Sequence, residues 1–318
     1  MPMHRSTTRP PRALLSAIAL LGLLAATNTL SAQSIHAGSA AGSYTNDFCP
    51  QVQQAVAAEF FEHTCVTSEG SADNAEKVLA NPHDVGIGQL DVIASFADQN
   101  PGELAIVDPE LGLECLYAVT SQPDVSSLRG LSPRMPVALP SARSGSAATF
   151  GFLQELDEQL AALRNITHHD GPLEAVQAVA DGDAALAFFV QFPNTSNPVF
   201  EAINSADLTF VPVVNRQILR REVGGVQVYQ PREVTVTPTG LLGRLTGRED
   251  TKLVTTCTPV VLFTGTADRF EAGTVEHEDQ VALIEQLAAT QAPTSGDWTD
   301  ILRNAVQVSR DRVERFLE

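Results

Sequence analysis

Basic side chains are scarce in this chain of 318 residues: 20 Lys and Arg stand against 38 Asp and Glu, for a formal charge of −18. Binding to phosphate backbones or anionic lipid depends on clustered Lys and Arg, so nucleic-acid binding and electrostatic docking on membranes are disfavoured from the outset. Long apolar runs are also missing, apart from the 14-residue ALLSAIALLGLLAA near the start. As a helix that run reaches about 21 Å, short of a hydrocarbon layer of about 30 Å. The sequence has no HExxH, no GxSxG and no Walker loop, and the nearest dinucleotide pattern, Gly86-Ile-Gly88, carries Asp91 where a third glycine belongs. The four cysteines form no CxxC and no metal-ligand spacing, so neither a metal nor a cofactor is expected, and nothing supports an enzyme. What remains is a globular composition, 43% hydrophobic with 21 Gly and 19 Pro, long enough for about two domains.

Residues 1–32 read as a secretory signal: Arg5, Arg9 and Arg12 without any acid, then the apolar core, then the small and polar TNTLSAQS. Cleavage after Ala32 or after Ser34 removes those three Arg charges and deepens −18 to −21. The expected route is secretion, into a compartment where disulfides persist. Cys49, Cys65, Cys115 and Cys257 all follow the signal, and an even count there points to structural disulfides with three possible connectivities.

From residue 34 onward, short apolar runs alternate with helical periodicity, the mark of an α/β domain with a mainly parallel sheet. SIHAG, VTSEG and DVGIG read as strands. Each is followed by a helix: one starting at Pro50 with Val52, Val56 and Phe60 on its face, then SADNAEKVLAN, then DVIASFADQN capped by Asp91. ELAIVDP and LECLYAVTS are two further strands, and the register changes near 120, where PDVSSLRGLSPRMPVALPS suggests a linking helix and a new strand. A second series follows: VALPS, the helices FGFLQELDEQLAAL and PLEAVQAVADG, and the strands AALAFFVQF and DLTFVPV. Residues 215–252 look irregular, KLVTTCTPVVLFTG is a buried strand, and helices are expected near 276–290 and 298–317.

Three Gly/Ser-rich turns run from a strand end into a helix start: Gly38-Ser-Ala-Ala-Gly-Ser43, Gly70-Ser-Ala-Asp-Asn74 and Ser144-Gly-Ser-Ala147. Unpaired N–H groups and the positive helix end make such turns anion holders, and open α/β sheets bind ligands at these carboxyl ends. His168 and His169 are the tempting catalytic pair, but Asp170-Gly-Pro172 beside them reads as a helix start and the pair as an exposed turn.

IHAGSAAGSYTND, TSEGSADNAEKVLANPHDVGIGQLDVI, VALPSARSGSAATFGFLQE and GPLEAVQAVADGDAALAFF resemble, in that order, the TAXI-type solute-binding receptors of TRAP transporters, a branch of the type II periplasmic binding proteins. The resemblance spans about residues 35–200 and the strand near 254–264. The chain departs from the family's turns at Glu69-Gly70-Ser71, Gln89-Leu90-Asp91 and Gly145-Ser146-Ala147. The resemblance implies an α/β two-lobed type II periplasmic-binding-protein fold, each lobe a mainly parallel sheet flanked by helices, with crossing hinge strands between them. Lobe 1 is expected over 33–120 and 256–318 and lobe 2 over 121–255. It also implies a monomer that captures a small organic anion, a carboxylate or an amino acid, and delivers it to TRAP-type membrane transporter subunits without doing chemistry.

Carried over by position, Ser39 and Tyr44 line the first turn, Ser71 and Asn74 the second, Gln89 and Asp91 the third, and Ser144 and Ser146 the facing lobe. Gln191 and Phe192 fall on the hinge side, and Arg143 is a candidate partner for a ligand carboxylate. Each has a plainer role available: Ser39, Ser71 and Ser146 as caps, Asp91 as an N-cap, Phe192 as core, Arg143 as a surface counter-charge. Rival functions are a receptor of the same fold serving an ABC importer or a sensor, and a secreted serine hydrolase pairing Ser146 with His168 or His169. With Cys115 on the strand leaving lobe 1 and Cys257 on the strand returning, a 115–257 disulfide is expected at the hinge. Cys49 and Cys65 are then left to pair, which requires the helix from Pro50 to stop before Glu62 or the chain to double back.

Overall fold

The computed structural model describes residues 33–57, 61–239 and 249–289. The signal expected at 1–32 and the helix expected at 298–317 lie outside them. Among the described residues, no helix is long and apolar enough to cross a membrane.

The chain opens with three strand–helix units. Strand β1 (Gln33–Gly38) leads through a π-helical turn (Tyr44–Phe48) into α1 (Cys49–Ala57); β2 (His63–Thr67) leads into α2 (Ser71–Ala80), and β3 (Val85–Gln89) into α3 (Leu90–Gln99). The strands pair in parallel in the order β2-β1-β3. Gly86 and Gly88, the pair that mimics a dinucleotide motif, have a packing role. A Cβ on Gly86 would sit 2.1 Å from Cζ of Phe263, and one on Gly88 2.7 Å from Cδ1 of Ile93. Helix α3 begins one residue earlier than the sequence suggests, with Gln89 as N-cap and Asp91 inside the first turn.

The two apolar runs ELAIVDP and LECLYAVTS form one strand, β4 (Leu104–Thr120), antiparallel to β12 (Thr251–Gly265). These two carry the sheet from one lobe to the other. The Val260–Thr264 part of β12 lies between β3 and the Leu104–Gly112 part of β4. Beyond Cys115, β4 pairs with β7 (Leu186–Gln191) and β8 (Thr209–Val211), and the start of β12 pairs with β11 (Gln230–Thr237). Strands β5 (Pro136–Leu139) and β6 (Asn165–His168) complete the main path β2-β1-β3-β12-β4-β7-β5-β6. The result is a two-lobed α/β architecture, with β4 and β12 crossing between the lobes.

Around the second half of the sheet lie α4 (Gly145–Leu156), α5 (Glu158–Ala161), α6 (Pro172–Ala180) and α7 (Pro198–Ser205). FGFLQELDEQLAAL is therefore two helices, broken where the Asp157 carboxylate caps the N–H groups of Gln159 and Leu160. The linking helix expected after residue 121 is only a 3-10 turn, Leu128–Gly130. The stretch 215–252 is more ordered than its composition suggests. It holds α8 (Arg216–Leu219), a hairpin of β9 (Glu222–Val223) and β10 (Val226–Gln227), then β11; residues 240–248 are outside the described set. Helix α9 (Val275–Ala289) closes the described chain and packs against the first lobe through Leu283 and Leu287.

Both disulfides are present. Cys115 and Cys257 face each other directly across the β4–β12 ladder with Cα atoms 3.9 Å apart, closer than the usual range for a disulfide. Cys49 joins Cys65 at 5.9 Å, because α1 stops at Ala57 and the chain turns back into β2.

Candidate functional site

The carboxyl ends of β3 and the facing helix starts converge where β4 and β12 cross. Glu114 on β4 is the centre of one half of the constellation. Its Oε2 accepts from the Tyr44 hydroxyl at 2.7 Å and from Gln89 Nε2 at 2.9 Å. Gln89 is fixed in turn, its backbone N–H donating to Ser71 Oγ at 3.1 Å. Asp91 is the centre of the other half: Oδ2 accepts from Thr149 Oγ1 at 2.6 Å and from the Tyr229 hydroxyl at 2.8 Å, and Oδ1 from Thr258 Oγ1 at 3.3 Å. Thr258 lies opposite Glu114 in the ladder, one residue from the hinge disulfide, so the two halves adjoin. Thr149 Oγ1 also lies 3.4 Å from Gln89 Oε1, so the two halves touch there.

All these polar groups are buried. Asp91 and Tyr44 belong to the first lobe, Thr149 and Tyr229 to the second, so Asp91 is bonded across the interface. Among the described residues no Lys, Arg or His pairs with either carboxylate. Burial without a cation pushes Glu114 up to about 7 despite the donors Gln89 and Tyr44, and the nearby Asp91 charge adds to the rise. Burial likewise raises Asp91, against the bonds from Thr149, Tyr229, the Val92 N–H and Thr258. The hydroxyls of Tyr44 and Tyr229 are raised well above their ordinary range, first by burial and then by the adjacent carboxylates.

The two Gly/Ser turns meet face to face. A Cβ on Gly70 would lie 3.3 Å from the backbone N of Gly145, and one on Gly145 only 2.2 Å from Gln89 Oε1. At the rim, the Asp73 N–H donates to the Arg143 carbonyl at 3.2 Å, and the Ser141 hydroxyl meets Glu69. Arg143 bridges the lobes through Asp73 and Glu76, each at 2.5 Å, and Glu69 at 3.6 Å. Its guanidinium is thus engaged with three carboxylates of the first lobe, the arrangement of a counter-charge.

Of the remaining expected residues, Ser71 and Ser146 are buried at the interface. Ser146 Oγ accepts from the Val190 N–H at 2.9 Å, and Ser144 is the N-cap of α4, accepting from Ala147 at 3.1 Å. Asn74 is buried and donates to the Ile87 carbonyl at 2.8 Å, a bond that holds α2 on β3. Gln191 sits beside Cys115 in the β4–β7 register. Phe192 packs with Tyr44 and Phe48 in the first-lobe core, with ring centroids 6.3 and 5.4 Å away. Ser39 lies in an exposed turn where its carbonyl accepts from Gly42, apart from the constellation. The Ser146–His168 pairing is not formed: Ser146 serves β7, and His168 Nδ1 bonds the Pro140 carbonyl at 2.9 Å.

No family model and no curated protein matches the chain. Several solved structures do resemble it. The arginine-, lysine-, histidine-binding protein ArtJ from Geobacillus stearothermophilus aligns with a TM-score of 0.47 at 11% identity, covering 89% of this chain and 99% of that one. A mutant of ArgBP from T. maritima gives 0.47 at 9% identity, covering 86% and 94%. The VFT2 domain of Bordetella pertussis BvgS gives 0.44 at 12%, covering 86% and 92%. At these identities each is a likeness of chain path.

Sequence reasoning missed Glu114, Thr149, Tyr229 and Thr258. One signal was available for Glu114: a lone charge beside a cysteine inside the apolar run LECLYAV, where an unpaired acid is costly unless it has partners. Tyr229 had none, since it stands in the stretch with no clear periodicity.

Proposed function

We propose that the protein is a solute-binding receptor that closes its two lobes on a small organic solute. The observation that carries this reading is the facing pair of helix starts, at Ser71 and at Ser144–Ser146, set over the buried Tyr44, Gln89, Asp91 and Glu114 at the strand crossing. Helix starts suit a carboxylate, whereas Asp91 and Glu114 suit an ammonium. An amino acid carries both groups, so within the organic acids the sequence suggests, a zwitterion fits better than a simple anion. Capture requires the lobes to part, because Gln89 and Thr149 now occupy the space between the two turns. The receptor works in the periplasm as a monomer after loss of its signal, hands its solute to a TRAP-type transporter and catalyses no reaction. Ser39 and Arg143 stand outside the ligand shell.

Native mass spectrometry of the secreted protein, followed by unfolding to release any guest, tests this reading. A co-purified amino acid, or a thermal shift with one amino acid after refolding, is the expected result. A protein that carries no guest and shows no shift with amino acids or small carboxylates overturns it.

A further inference from the structure

The buried contacts between the lobes centre on Asp91, which adjoins a second carboxyl group, Glu114, and among the described residues neither has a cation to balance it. Asp91 is bonded from the first lobe to Thr149 and Tyr229 of the second, and Glu114 lies one ladder position from the hinge disulfide. We propose that lobe closure is coupled to proton uptake by this pair, with Glu114 the main site and the closed form the protonated one. The inference takes the two-lobe closure from the functional reading but needs no ligand.

The groups in direct contact with the pair are acidic or neutral. Toward Glu114 face Tyr44 from the π-helical turn, Gln89 and Ser71 from β3 and α2, Thr258 from β12, and Tyr117 from its own strand, whose buried hydroxyl has no hydrogen-bond partner. Toward Asp91 face Thr149 of α4, Thr258, and Tyr229, behind which come Arg221 and Glu155. Arg221 is engaged with Glu155 and with the Phe152 ring. The other charges of the interface, Glu69, Asp73, Glu76, Lys77 and Arg143, pair among themselves at the rim. Asp73 sits below the ordinary carboxylate range despite its burial, because Lys77, the Glu69 N–H and Arg143 hold its charged form, so it does not titrate near neutrality. Closing the lobes sets Gly145 and Thr149 over Gln89, the side chain that covers Glu114, and so shields the pair from water without supplying a counter-charge. Parting them lets water reach the site.

The sign follows. A carboxyl whose closed-state value is raised favours closure fully below its ordinary 4.5 and loses that advantage as pH climbs to about 7. With an ordinary value in the open form, the closed-to-open ratio falls by up to about 300-fold between those limits.

The test is small-angle scattering of the mature protein from pH 5 to 9, with disulfides intact and any guest removed by unfolding and refolding. The expected result is a radius of gyration that grows with a midpoint near neutrality, while Glu114→Gln stays compact throughout. A wild-type radius that does not change with pH, or a Glu114→Gln protein expanding at the same midpoint, overturns the proposal. If Glu114→Gln does not fold by circular dichroism, Asp91→Asn carries the test: removing the neighbouring charge moves the midpoint to lower pH, and an unmoved midpoint overturns it. Because no ligand takes part, a missing pH response leaves the solute-binding reading to its own mass-spectrometric test.

Discussion

Gly145→Ala is the sharpest test of lobe closure, because the space for a methyl group is missing on the side that faces the other lobe. The added Cβ would lie 2.2 Å from Gln89 Oε1 and 2.7 Å from Ser71 Oγ, both across the lobes. Ordinary contact needs about 1 Å more, and a shift of that size strains the Thr149–Asp91 and Tyr229–Asp91 bonds together. Overpacking costs about 1 to 3 kcal/mol, and weakening a hydrogen bond to a charged group about 1.5 to 3 kcal/mol. Part of this is recovered as each lobe relaxes, so a net loss of about 2 to 3 kcal/mol is expected, or about 30- to 160-fold in the closure equilibrium. Gly151→Ala on the same helix is the control: nothing lies within 4 Å of its added Cβ, and it gains about 0.5 to 1 kcal/mol of helix propensity. Scattering at pH 5 and thermal unfolding read both variants. A Gly145→Ala protein as compact as wild type, or equal expansion of the two variants, refutes the closed interface described here.

Removing the Cys115–Cys257 bond, which spans a sequence separation of 142, should cost about 5 kcal/mol on the chain-entropy model, and removing Cys49–Cys65, with a separation of 16, about 3 kcal/mol. Guanidinium unfolding of the two double Ala variants should rank them in that order. Arg143→Ala removes a latch exposed to solvent, so its effect on closure should be modest, about 1 kcal/mol per ion pair at most, and should vanish in 1 M NaCl by scattering. Asn74→Ala leaves the Ile87 carbonyl without its side-chain partner and should lower stability by about 1 to 3 kcal/mol in thermal melts, whether or not solute is present. Global stability should fall between about pH 4.5 and 7 as Glu114 ionises, and Glu114→Gln should flatten that fall.

Local signals located the elements well. Three strand–helix units in a row and the buried run at Cys257 needed only periodicity and turn residues, which act within one or two turns of chain. The constellation was half legible. Ser71 stands on a turn that the Gly/Ser pattern marks and Tyr44 directly follows another, Gln89 and Asp91 are implied by the family resemblance alone, and Tyr44 and Gln89 meet on one carboxylate oxygen. That carboxylate comes from a strand whose apolar run reads as pure core. Tyr229 reaches Asp91 over a separation of 138 residues, a contact set by the crossing of β4 and β12, to which no local pattern points. The partners of Arg143 were illegible for the same reason, since all three acids come from the other lobe.

The position of the hinge disulfide also limits how the molecule can move. Neighbouring antiparallel strands can slide past each other only in steps of two residues, about 6.6 Å, if side chains are to keep their faces. Cys115 and Cys257 are directly opposed, so the bond forbids even one such step. Shear is thereby removed from the repertoire, leaving rotation and twist about a fixed pivot. Thr258 and Glu114, one position away, travel least in such a rotation, while Gly70 and Gly145 swing through a wider arc. Reduction would free the strands to creep as well as turn, and the mature protein would then behave as a loose clasp whose two jaws no longer return to the same register.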